Sequence, residues 1–184
     1  MKVGDKVIFN EDKWRVLDLQ SDRALLLRDS FFGGRQFHKD PVNITWEQCT
    51  LRQFLNNEYL DSFVNEDRRR IIKTRISNPK NPYFGEEDSA DTYDYMFLLS
   101  IDEIIKYFGD FRPYNDEWKK DPNKNKRKAK SDNGNFSCWW LRTPGVQNEK
   151  YKNIAYINGV GRVMYGGDFV TRHVGVRPIM WVSI

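Results

Sequence analysis

Hydrophobic positions near the start of the chain fall in short runs. Lys6-Val-Ile-Phe9, Lys13-Trp-Arg-Val-Leu-Asp-Leu19 and Arg23-Ala-Leu-Leu-Leu27 are β-prone, and the polar turns Asn10-Glu-Asp12 and Gln20-Ser-Asp22 separate them. This pattern predicts an N-terminal β-meander. A period of two puts Trp14, Val16 and Asp18 on one face. Residues 29–44 are irregular, broken by Gly33-Gly34 and Pro41. Thr45-Trp-Glu-Gln48 reads as a capping box, opening a helix with Leu51, Phe54 and Leu55 on one stripe. A second short helix is expected over about 58–65, carrying Tyr59, Leu60, Phe63 and Val64.

Ile71–Ile76 reads as a strand, and residues 77–93 as a loop with Pro79, Pro82 and Gly85. The continuous apolar run Tyr95–Leu99 predicts a strand buried on both faces. Ser100-Ile-Asp-Glu103 is another capping box, opening a helix to about Tyr107. Residues 109–135 form a long polar segment, which in a compact domain is a binding loop or disordered. Strands follow at Phe136–Leu141, Asn153–Ile157, Val160–Tyr165 and Val174–Val182. Asn158-Gly159 signals a hairpin, and Pro178 points to an edge or a bulge. Strands at both ends bracket helices in the middle. The class is therefore α+β, with residues 1–184 as a single domain, long irregular loops, and termini that meet in one sheet.

Composition sharpens this picture in three places. Hydrophobic residues are only 39%, but aromatics reach 15%, and each ring buries a large area. No apolar run approaches the roughly 20 residues of a membrane span, and the N-terminus has no apolar signal core. As it stands the chain reads as soluble and cytoplasmic, unless a leader has been trimmed from it. The net charge of +4 is unevenly placed: residues 119–130 hold seven Lys/Arg and one Asp, so the remainder sums to −2. A near-neutral domain with one solvated basic loop makes nucleic acid an unlikely partner. Cys49 and Cys138 read as two free thiols rather than a disulfide framework.

Several spaced motifs resemble a large bacterial family of uncharacterised domains. They are Cys138-Trp-Trp-Leu-Arg-Thr-Pro-Gly145, then Ala155–Val163, then Gly175-Val-Arg-Pro-Ile-Met-Trp181. Thr45–Arg52, Phe54-Leu-Asn56, Ser62-Phe63 and Phe97–Glu103 fit that family's helical region. The opening strands fit its meander, so the resemblance covers nearly the whole chain. Thr143 stands in place of the usual serine and Ile179 in place of alanine. The resemblance implies a C-type-lectin-like fold. That fold is distantly similar to formylglycine-generating enzymes and to the variable ligand-binding proteins of diversity-generating retroelements. It implies no activity.

The candidate site follows from these motifs. On a strand Trp139 and Trp140 face opposite ways, with Arg142 on the side of Trp140. Thr143-Pro-Gly145 fits a type II turn. Two roles compete for the rings: packing beneath long loops, or lining a pocket where Trp140 and Arg142 receive a sugar or a carboxylate. Arg177 is expected to be a buried strut paired with backbone carbonyls or with a carboxylate, Asp94 or Asp168, or a rival of Arg142 for one anion. Tyr156, Asn158 and Arg162 sit at or near the hairpin tip, the ligand face in the lectin-like proteins that the chain resembles. Trp140, Arg142, Tyr156, Asn158, Arg162, Asp168 and Arg177 thus form the candidate ligand-binding set.

The remaining signals are weaker. The acidic stretch Glu86–Asp94 lacks EF-hand spacing and reads as solvated rather than as a calcium site. Two histidines, His38 and His173, and two distant cysteines supply no metal site. No cofactor motif is present, and no catalytic residue stands out. The expected function is a non-enzymatic module that binds a small ligand or a protein. An enzyme related to formylglycine-generating folds and nucleic-acid contact through the lysine-rich loop are the alternatives.

Overall fold

The computed structural model describes residues 1–84, 88–111 and 119–184. The meander forms where the pattern places it: β1 (Lys6–Phe9), β2 (Asp12–Leu19) and β3 (Arg23–Arg28) pair antiparallel in sequence order. Asn10 and Glu11 have φ of 48° and 65°, the geometry of a two-residue turn whose twist matches its strands. Asn10 is held from both sides, since its Oδ1 accepts from the Val64 amide and its own amide donates to Asp67. A bulge between Val16 and Asp18 interrupts the alternation. Trp14 and Val16 are therefore buried, whereas Asp18 meets the Lys106 ammonium at 3.2 Å.

The helical region departs from expectation at its start. Thr45 makes no side-chain cap, and Trp46–Gln48 is a single 3-10 turn. The cap belongs to Cys49, whose Sγ accepts from the Arg52 amide at the start of α1 (Thr50–Phe54). The helix continues through a π-helical stretch, Leu55–Tyr59. The next helix is α2 (Asn65–Arg70), which begins where the second helix was expected to end. It has acidic residues in its first turn and arginines in its last, complementing the helix dipole. Ser100 does form its capping box, with Ser100 Oγ and Glu103 exchanging hydrogen bonds at the start of α3 (Ile101–Phe108).

Two five-stranded sheets organise the rest. In the first, β5 (Ile71–Ile72) and β12 (Ile179–Ser183) extend the meander, in the order β1-β2-β3-β12-β5. The first and last strands of the chain therefore share a sheet. In the second, β4 (Phe32–Arg35), β8 (Trp139–Gln147), β9 (Lys152–Ile157), β10 (Val163–Phe169) and β11 (Val174–Val176) run in the order β10-β9-β8-β11-β4. A small hairpin, β6 (Thr74–Asn78) with β7 (Ser89–Asp94), stands apart. Residues 174–182 are thus two strands rather than one. Pro178 marks the point where the chain leaves one sheet for the other, and β12 is an interior strand, not an edge. Missing an N–H, proline suits a break between ladders.

Tyr95–Leu99 is buried, as its apolar run requires, but joins no strand ladder beyond a single bridge from Phe97 to Ile179. Side chains satisfy its backbone instead. Asn56 Oδ1 accepts from the amides of Tyr95 and Met96, and Asn56 Nδ2 donates to the Met96 carbonyl. The expected turn at Thr143–Gly145 is likewise absent, because β8 runs straight through it with bulges.

The basic segment is folded in its described part. Residues 121–130 contain a short helix, α4 (Lys124–Arg127), whose Arg127 is fully buried against Asp121 and donates to the Gly161 carbonyl at 2.9 Å. The β9–β10 connection is accordingly a longer loop over 158–162, clasped by this segment, rather than a two-residue turn. Gly161 has φ of +84°, and a Cβ there would fall on the Lys124 carbonyl oxygen. Gly161→Ala is expected to destabilise the fold by about 2–3 kcal/mol through strain and overlap. Gly33→Ala, at a position where a Cβ meets nothing within 4 Å, is expected to leave stability within about 0.5 kcal/mol. Urea unfolding of both variants checks the pair.

Candidate functional site

The sequence-predicted residues do not converge. Trp139 and Trp140 are both fully buried, one on each side of β8. Trp139 Nε1 donates to the Arg127 carbonyl, which ties the ring to the basic segment. Trp140 packs edge-on against Phe37 and Tyr156, and its Nε1 donates to the Arg35 carbonyl at 2.8 Å. Neither ring offers a face to a ligand. β8 lies between β9 and β11 and is covered on both faces, so alternation along it leads from one packed region to another.

Arg142 is 3% exposed and is a strut. Its guanidinium donates to both Glu103 oxygens, to Asn78 Oδ1, and to the carbonyls of Leu98 and Ser77. Arg177 is also buried, but neither Asp94 nor Asp168 is its partner. It donates to the carbonyls of Arg28 and Asp29, and its guanidinium lies 5.0 Å from the Trp139 ring centre. Asp94 instead receives Trp46 Nε1, Thr92 Oγ1 and Arg52 Nε, while Asp168 pairs with Arg172. The two arginines therefore do not compete for one anion.

At the hairpin, Tyr156 is 9% exposed, and burial raises its phenol pKa. Asn158 Oδ1 accepts from the amides of Val160 and Arg162, so it shapes the turn. Of the acidic stretch, Glu86 and Glu87 lie outside the described residues. Asp88 accepts from the Lys80 amide and Asp91 pairs with Arg75, so both carboxylates already have partners.

The concave site lies elsewhere. A cleft of about 580 Å³ opens between β4, the outermost strand of the second sheet, and the helix beginning at Thr50. None of the seven candidate residues lines it. Phe32 and Phe54 form its aromatic wall, backed by Tyr59 at 4.7 Å from Phe32. The Arg35 guanidinium lies 3.5 Å from the Phe54 ring centre, a cation–π contact that orients the charge across the opening. His173 and Glu58 add one titratable group each. Behind the cleft, His38 Nδ1 accepts from the Thr50 amide, and burial holds its imidazole below the ordinary value. The phenol oxygen of Tyr59 is buried without a hydrogen-bond partner among the described residues, and burial raises its pKa.

Sequence reading missed this cleft because its walls are far apart in the chain. Gly33-Gly34 registered only as a break and His173 only as one of two histidines that supply no metal site. The usable signal was a diglycine inside a short aromatic-to-arginine run, Phe31–Arg35.

Among the described residues, no three His, Cys, Asp or Glu side chains cluster in a way that would hold a metal ion. Residues 21–184 match the model of a domain of unknown function, DUF6273, and the chain belongs to that family. No curated protein matches, and no solved structure matches. Among the described residues, no helix is long and apolar enough to cross a membrane.

Two expectations follow. Arg142→Ala removes the cation facing Glu103 and leaves two buried acceptors, Asn78 Oδ1 and the Leu98 carbonyl, without it, and should cost about 3–5 kcal/mol, read as a large fall in melting temperature. Burial pushes the Cys49 thiol up to about 12. Ellman's reagent at pH 8 should therefore leave Cys49 unmodified in the native protein and label it only after unfolding, with peptide mapping to tell it from Cys138.

Proposed function

We propose that this domain is a non-enzymatic binding module of C-type-lectin-like architecture, and that it takes an extended peptide segment of a partner protein in the cleft beside β4. The observation that carries the reading is an open sheet edge at the bottom of a cleft. β4 pairs with β11 on one side only, and on its other side faces Thr50, Leu51 and Phe54 across the gap. An unpaired edge presents backbone donors and acceptors to an incoming strand, and main-chain pairing with side-chain pockets is an established route to peptide recognition. Gly33 leaves that backbone uncovered. Phe32 and Phe54 would receive an apolar side chain, while Arg35 would meet a carboxylate of the peptide.

One antiparallel sheet and one mixed sheet in which β8 and β11 run parallel, strands from both ends of the chain in the first, and long stretches outside regular structure support the lectin-like reading, together with the motifs at 138–145 and 175–181. The non-enzymatic reading rests on the chemistry of the candidates. Cys49 is buried with a raised pKa, and His173 has no thiol or carboxylate partner among the described residues.

Panning a display library of random linear peptides against the purified domain tests the proposal. Enriched peptides are expected to bind with micromolar dissociation constants by fluorescence anisotropy. Arg35→Ala, at an exposed position that keeps the fold, and Phe54→Ala should each weaken them about tenfold, roughly 1.4 kcal/mol. Val42→Ala, exposed and outside the cleft, should not. No enrichment, or peptides that bind both cleft variants as tightly as wild type, would sink the reading.

A further inference from the structure

The structure also assembles a second, positively charged cleft, distinct from the one beside β4. It has a volume of about 370 Å³ and lies where the meander meets the basic segment. Lys6 and Arg15 come from β1 and β2, Lys128 and Lys130 from the segment after α4, and Asp29 is the carboxylate that faces them. Asp29 is already committed, to Lys6 at 2.9 Å and to Arg15 at 3.2 Å. Burial works to raise its pKa, but hydrogen bonds and charge from Lys6 and Arg15 outweigh burial and hold it below the usual range.

Lys128 and Lys130 have no carboxylate partner among the described residues. Both ammoniums gather at one exposed ring, 5.9 and 5.2 Å from the centre of Phe136. They share a side because the chain is extended between them, with Ala129 buried. The segment is held in place: Arg127 is fully buried, the Lys130 carbonyl accepts from the Phe31 amide at 3.0 Å, and Lys130 bridges to Phe136. Behind the Asp29 backbone sits the buried Arg177, a further positive charge that, among the described residues, has no carboxylate hydrogen bond and no partner for Nη1. Like charges fixed this close, in a concave site with one shared counter-charge, repel one another until an anion joins them.

We infer that this cleft binds a small phosphate-bearing molecule. The free charges are lysine ammoniums, compact point charges that suit a multiply charged, roughly spherical oxyanion. The planar guanidinium forks that would favour a carboxylate are already partly engaged, Arg15 through Nη2 by Asp29 and Arg177 through Nε and Nη2 by backbone carbonyls. The lysine segment reads as an isolated solvated loop in sequence because its partners, Lys6 and Arg15, lie more than a hundred residues away.

Isothermal titration calorimetry with inorganic pyrophosphate tests the inference on the whole chain. The expected result is saturable binding with a dissociation constant below about 1 mM in low salt, weakening steeply as salt is raised. Replacing both Lys128→Gln and Lys130→Gln should weaken it at least about tenfold. A control, Lys119→Gln with Lys120→Gln, lies on the same basic segment but outside the cleft and should leave it unchanged. The cleft variant is also expected to melt no lower than wild type without ligand, since it removes two mutually repelling charges. Absence of saturable binding, equal weakening by the control pair, or binding of a single-stranded oligonucleotide without binding of pyrophosphate would each overturn the inference.

Discussion

The guanidinium of Arg142 holds together parts of the chain that no strand ladder joins. From β8 it reaches Glu103 on α3, Asn78 and the Ser77 carbonyl at the end of β6, and the Leu98 carbonyl in the run before α3. That last contact matters most. Residues 95–99 are almost wholly buried, yet lack the sheet partners that normally satisfy backbone groups. Arg142 and Asn56 supply those partners from side chains. A lysine could not replace the arginine here, because one ammonium cannot reach acceptors spread around a planar fork. Glu103 does double duty, closing the capping box on Ser100 and neutralising the buried charge.

Arg177 applies the same device to the other sheet. It sits where the chain crosses from β11 to β12, and it is anchored by two carbonyls rather than by a carboxylate. Burial and the charge of Arg15 depress its pKa. Arg142 and Arg177 thus tie buried backbone together, while lysines stay on the rim of the cleft above Asp29. The two proposed sites lie at different seams. One is the outer edge of the second sheet, where glycines expose the chain. The other is the join between the meander and the basic segment, where sequence-distant cations meet. Nothing in the first depends on the charge of the second.

What could be read from sequence was what local chemistry decides. The meander, the Ser100 capping box, α3 and the paired strands around residue 158 all declare themselves within a dozen residues. The errors came where distant groups override local preference. Thr143-Pro-Gly145 has turn chemistry, but Asn81 Nδ2 donates to the carbonyls of Pro144 and Tyr165, and the strand continues. Thr45 has cap chemistry, but Cys49 takes the role four residues later. The basic segment has solvent-loop composition, but Asp121 and the Gly161 carbonyl take Arg127 into the core. Of the two roles open to the tandem tryptophans, the fold takes packing, because β8 is covered on both faces. Of the candidate site, only Arg177 was read as a buried strut, and it takes backbone carbonyls rather than a carboxylate; Arg142, read as lining a pocket, is a strut as well. The cleft beside β4 needed the fold to bring Gly33, Phe54 and His173 together.

The crossing at Arg177-Pro178 has a kinetic consequence. In register, Leu27 pairs with Ile179 and Gly34 with Gly175, contacts separated by well over a hundred residues. Each sheet therefore closes only after a long loop has been brought round, and both closures depend on the same ten-residue stretch. A topology dominated by such non-local pairing searches slowly, on the millisecond-to-second scale rather than in microseconds. The edge of β3 that β12 covers is flanked by charge, Arg23 and Arg28 at either end of the strand, and such charges discourage pairing with a wrong strand.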